Sequence, residues 1–172
     1  MTDTLKGPPA RVRAPYVTDA FNSAICNRLL AYWQSKKADG GPPFIADIDL
    51  MELYDIAPFM GLCDAIDGGE EFIARFYGTG IVDTFGFDRT GLKVRDRFQG
   101  EAGDMVLARL RMPYRTGLPT RVVGYLTAVG KDYPSPFEAI YLPLRGSGGT
   151  IKHVIGACDV EYQPLASDTI KY

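Results

Sequence analysis

Residues 72–91 read FIARFYGTGIVDTFGFDRTG, and the fold turns on how this stretch is divided. Alternation sets Phe72, Ala74 and Phe76 on one face of a strand and Ile73, Arg75 and Tyr77 on the other. Gly78-Thr79-Gly80 then allows a sharp turn without a Cβ penalty. A short apolar segment follows, with Ile81, Val82, Thr84 and Phe85, cut off by Gly86 and again by Thr90-Gly91. A strand that breaks into short, glycine-punctuated helical turns is suited to walling a small cavity against a sheet.

Working outward, residues 58–66 predict a partner strand, joined to the first through a turn at Asp67-Gly68-Gly69. Downstream, residues 102–116 predict a helix with Met105, Leu107 or Ala108, Leu110 and Tyr114 facing inward. Gly117 and Pro119 end it, and Pro113 should kink it or cut its regular part short. Three strands are expected at 120–131, 137–144 and 151–162, the last two joined by a turn over residues 146–149. Both faces of these strands are apolar, so both need cover. Thr18 or Asp19 can cap an N-terminal helix whose stripe is Phe21, Ile25, Leu29, Tyr32 and Trp33. That stripe could cover the second sheet face, or dock on a copy of itself or on a partner protein. The expected fold is α+β, with a five-stranded antiparallel sheet, short helices on one face and the N-terminal helix on the other. The expected organisation is a flexible leader at 1–17, a flanking helix at 18–39, the main domain at 40–163 and a tail at 164–172.

The bulk composition excludes several classes. The chain has 172 residues, 46% of them apolar and 23% charged, with a net charge of −2; this balance predicts neither nucleic-acid nor membrane binding. Three scattered cysteines and a single histidine give no zinc-ligand spacing and point to a reducing, cytoplasmic setting. No stretch has the length or apolarity of a membrane span, and no secretory signal is read. The charges are divided along the chain. Residues 39–71 carry nine acids and no Lys or Arg, whereas residues 89–121 carry eight bases against three acids. Neighbouring, mutually attracting surfaces are the simplest reading of that division.

The order of these elements, with the segments FIARFYGTGIVDTFGFDRTG, FEAIYLPLRGSGG, HVIGACDV and LLAYWQSKKADGGPPFIADIDL, resembles the PAS-domain family. The branch it resembles most is that of small stand-alone bacterial PAS-like proteins. The resemblance implies a sensory or interaction module built on a five-stranded sheet with short helices around a pocket. It also implies homodimerisation through the N-terminal helix or a sheet face. Within such a fold the pocket wall is expected to include Phe76, Thr84, Phe85, Tyr125 and Tyr141.

The residues give little chemistry to attach to that pocket. Haem needs an axial ligand, and the only histidine, His153, lies in the last strand rather than on the long helix. The photoactive flavin motif needs a cysteine that residues 81–97 lack. Gly78-Thr79-Gly80 begins like a dinucleotide fingerprint but has no third glycine and no βαβ setting. No cofactor, metal or catalytic residue is therefore expected, although an unidentified small ligand fits the pocket. The expected function is a non-enzymatic regulatory adaptor with no fused output domain, acting on a signalling protein. The alternative is a small-molecule sensor. A more remote reading is a pocket enzyme pairing Asp83 with Tyr77, Tyr125 or Tyr141 for proton transfer.

Overall fold

Asp67, at φ 51, and the left-handed Gly68 and Gly69 reverse the chain between two strands and so set the first hairpin. In the computed structural model, which describes residues 11–164, β2 spans Met60–Ile66 and β3 spans Glu71–Tyr77. The remaining strands are β1 (Tyr16–Val17), β4 (Thr120–Leu126), β5 (Ser135–Arg145) and β6 (Ile151–Asp159). The helices are α1 (Ala24–Ser35), α2 (Thr79–Phe85), α3 (Val94–Arg97) and α4 (Gly100–Thr116). Six strands pair antiparallel in the order β1-β4-β5-β6-β2-β3.

The α+β class and the covered faces agree with the sequence reading, but the sheet has six strands where five were expected. The extra strand comes from the supposed leader. Tyr16 and Val17 pair with Arg121 and Thr120, and the backbone bonds Arg13 N to Val123 O and Tyr125 N to Arg11 O extend the contact. The strand is short because Pro15 has no N–H to give to a ladder.

Both faces of the sheet are apolar, and each has its own cover. On one face α1 packs Leu29, Tyr32 and Trp33 against Met60, Leu62, Ile140, Leu142, Leu144 and Ile155, with Phe21 just ahead of the helix. Ile25 lies partly buried beside them. The stripe that could have served for docking is thus spent on the chain's own sheet. Trp33 further donates its indole N–H to Pro143 O at 2.8 Å. On the opposite face α4 places Leu107 and Leu110 over Cys63, Phe72 and Val154. There Tyr114 meets Phe72 edge-on at 6.0 Å. Helix α4 also continues three residues beyond Pro113 to Thr116, so the proline does not end it.

The start of α1 moves from Thr18 or Asp19 to Ser23, whose side chain caps Cys26 N. The cause is a buried charge on the facing strand. Glu138, fully buried, accepts from Asn22 N at 3.1 Å, from Ser23 N at 2.6 Å and from Arg121 Nε. Arg121, itself 5% exposed, also donates to the hydroxyls of Tyr16 and Tyr162. Ser23 Oγ donates to Asp159 at 2.6 Å. A carboxylate on β5 therefore holds the helix entry against the sheet.

Removing one partner of a buried ion pair strands the other. Glu138→Ala is expected to lower stability by about 3–5 kcal/mol in urea unfolding. The exposed Arg28–Asp55 pair is the internal control, and Asp55→Ala should cost no more than about 1 kcal/mol.

Candidate functional site

Glycine in mid-strand leaves a gap in the side-chain layer of a sheet. Here two such glycines are register partners, Gly61 on β2 and Gly156 on β6. The row continues outward to Tyr77 on β3, paired with Gly61, and to Tyr141 on β5, paired with Gly156. Each tyrosine ring lies across its glycine. A Cβ on Gly61 would come within 2.9 Å of Tyr77, and one on Gly156 within 2.8 Å of Ile140 O and 3.2 Å of the Tyr141 ring. The bare pair floors a cavity of about 120 Å³ beneath α2 and α4.

The cavity walls are aromatic and aliphatic, with Phe59, Ile81, Phe85, Leu126 and Phe137 among them. One face of α4 supplies Val106, Arg109 and Leu110 at the i, i+3 and i+4 positions, which project the same way on a helix. Arg89 enters from the loop after α2. Its guanidinium lies 4.5 Å from the centre of the Tyr77 ring, 5.3 Å from Phe85, 5.2 Å from Phe98 and 5.8 Å from Phe87.

The charge balance of the lining is one-sided. Arg89 and Arg109 are its charged residues, and no carboxylate is among the side chains that line it. Among the described residues, neither arginine has a carboxylate within ion-pair distance. Arg109 Nε is buried with no hydrogen-bond acceptor. The acidic groups of the cavity do not compensate, because burial holds them protonated. Burial pushes the Cys63 thiol up to about 11, opposed by a 3.7 Å contact with the Tyr77 hydroxyl and by the Arg89 charge. Burial takes Cys158 up to about 12, opposed by the Arg109 charge. The Tyr77 and Tyr141 phenols are raised, again by burial.

Of the five residues expected to wall the pocket, Phe85 and Tyr141 do so. Phe76 packs instead with the α1 core. The reason is a bulge. Leu62 pairs with Phe76, but Cys63 pairs with Ala74, so Arg75 is the extra residue. An extra residue reverses the strand's alternation, which turns Tyr77, rather than Phe76, to the cavity. Thr84 is buried in α2, where its hydroxyl bonds Gly80 O at 2.7 Å. Tyr125 alternates with Leu126 and Gly124 on β4 and falls on the other face from Leu126, which packs with Phe85.

Asp83 is exposed on α2 and outside the cavity, so the Asp–Tyr pairing is not assembled. His153 Nδ1 lies 2.6 Å from Asp64, which also pairs with Arg75; the histidine does not line the cavity. Among the described residues, no group of three His, Cys, Asp or Glu side chains is placed to hold a metal ion. None of the described helices is long and apolar enough to cross a membrane. The acidic and basic halves do meet in part, through Glu70 with Arg111 and Arg115. Sequence reasoning missed Arg89, Arg109 and Tyr77 as lining, although the mid-strand glycines were a readable sign.

No protein-family model matches this chain, and no curated protein matches it.

The raised thiols give a direct check. At pH 8, a thiol at about 11 holds about a hundredth of the thiolate of one at 9, so Cys63 should alkylate about a hundredfold more slowly than an ordinary cysteine. Because the folded state holds these protons more tightly than the unfolded chain, stability should be flat below pH about 9. It should then fall as pH rises through about 11–12. Urea midpoints across that range measure this, and Cys158→Ala should shrink the drop.

Proposed function

We propose that the protein is a non-enzymatic, PAS-like sensory module that binds a small molecule in the cavity between the sheet and helices α2 and α4. The observation that carries this reading is the cavity itself. It is built by a paired glycine floor rather than left over by loose packing, and it brings cationic and aromatic groups together on one space. Ligand pockets commonly have this make-up, mostly apolar with a few placed polar groups. The family resemblance supports the same reading, since it implies short helices enclosing a pocket on a five-stranded sheet. Strands β2 to β6 supply five such strands, with β1 as an added edge.

The adaptor role draws less support from the geometry. Of the five residues it relied on, Phe21, Leu29, Tyr32 and Trp33 are buried against the chain's own sheet and Ile25 is half-buried beside them. Regulation of a partner protein then follows from ligand occupancy and not from that apolar stripe. A proton-transfer role would need a base in the cavity, and burial keeps its thiols and phenols protonated.

The test is entry of an apolar probe. Xenon titrated into the full chain should shift saturably in ¹²⁹Xe NMR, because about 120 Å³ approaches the roughly 150 Å³ cavities that take up xenon or benzene. Val106→Phe, which adds bulk to the lining from α4, should abolish or sharply reduce the shift while circular dichroism stays native. A wild-type protein that excludes xenon, and that also carries no small molecule in native mass spectrometry, would show the space to be inert core.

A further inference from the structure

Resting on that reading, we propose that the ligand is a small aromatic monocarboxylate, its ring against the cavity aromatics and its carboxylate between Arg89 and Arg109. The two arginines act on one place. Both lie on the lining, and the charges of both reach Tyr141 and Cys158. A guanidinium taken partly out of water without a counter-charge is costly. Elsewhere in this chain that cost is met: Arg121 by Glu138, Arg145 by Asp39, Arg95 by Asp104 and Arg75 by Asp64. Among the described residues it is not met by a carboxylate for Arg89 or Arg109. Arg109 Nε is in addition buried with no hydrogen-bond acceptor, although the guanidinium also has a hydrogen-bond contact with the Tyr141 hydroxyl.

Each part of the proposed ligand answers a feature of the cavity. A carboxylate offers the acceptor that Arg109 Nε lacks and a counter-charge for Arg89, and it matches the planar guanidinium fork. Arg89 is bordered by four aromatic rings, which stabilise the cation from its faces, and no described residue accepts a hydrogen bond from its guanidinium. The protonated Tyr77 and Tyr141 phenols supply donors and take no acidic role. Size sets the body. An apolar cavity of about 150 Å³ takes one benzene, so about 120 Å³ suits a single ring. The rings of Phe59, Phe85 and Phe137 on the lining suit an aromatic body. A nucleotide brings more bulk than this space provides for, and the aromatic lining favours a ring over an aliphatic dicarboxylate.

The experiment compares benzoate with benzamide, a neutral molecule of nearly the same shape, on the full chain. Calorimetry and ¹⁵N NMR of the arginine Nε–H groups are the readouts. Benzoate should bind about tenfold or more tightly than benzamide, in line with hydrogen bonds to a charged group, and should shift the Arg109 Nε–H resonance. Arg109→Gln should lower benzoate affinity about tenfold and leave benzamide affinity within about twofold; Arg109→Lys, which keeps the charge, should restore part of the preference. The comparison on the unmodified protein stands even where a variant folds poorly. Benzamide binding as tightly as benzoate would overturn the anion assignment while leaving the ligand-binding reading intact. Xenon entry without benzoate binding would do the same. Exclusion of all three probes would overturn both.

Discussion

Glu138 is the constraint on which the arrangement of this protein depends. A carboxylate that is fully buried on a central strand is tolerable only when its acceptors are filled. Glu138 fills them with two backbone N–H groups at the entry of α1 and with Arg121. The consequence is positional. The helix must begin at Ser23, over β5 and β6, and so its stripe must fall on that face of the sheet. Tyr16 and Tyr162 join the same cluster through Arg121, which fixes the edge strand β1 and the residues after β6 as well. One satisfied charge thereby orders both ends of the described chain around the sheet.

That leaves the opposite face to α2 and α4, and they do not close it. Gly61 and Gly156 remove two side chains from the layer where the helices would otherwise rest, and Tyr77 and Tyr141 lean into part of the gap. The two faces follow different electrostatic rules. On the α1 face the buried guanidinium has its carboxylate. On the cavity face two guanidinium groups have rings, phenols and a space. Glycine is required at 156 by close approach, since a Cβ there would lie 2.8 Å from Ile140 O and 3.2 Å from the Tyr141 ring.

The sequence made the hairpin, the long helix and the last three strands legible, because each has a period and a stop signal that local chemistry reads. The turn at Asp67-Gly68-Gly69 and the stop at Gly117 are examples. What escaped was long-range. Ser23 wins over Thr18 and Asp19 only because Glu138 lies 115 residues away. Tyr16 and Val17 become a strand only because β4 offers an edge. At the site, a single bulged residue, Arg75, exchanged Phe76 for Tyr77 on the cavity wall, and period-two counting has no means to see it. Arg109 was hidden for another reason. On a helix of mixed charge a lone arginine looks solvated, and only the fold shows that its Nε has no acceptor.

The cavity and α1 lie on opposite faces, yet they share β5. Tyr141, which flanks the cavity floor, is preceded by Ile140 and followed by Leu142, both fully buried against α1, and Glu138 lies two residues further back. A close-packed core resists continuous deformation. An occupant that turns the Tyr141 ring off Gly156 therefore loads a strand whose other side carries the attachment of α1. The same holds for β6, where Gly156 lies between Ile155 of the α1 core and Ala157. At Glu138 the entry of α1 and β4 meet on one carboxylate borne by β5, so the position of β5 is tied directly to the attachment of α1.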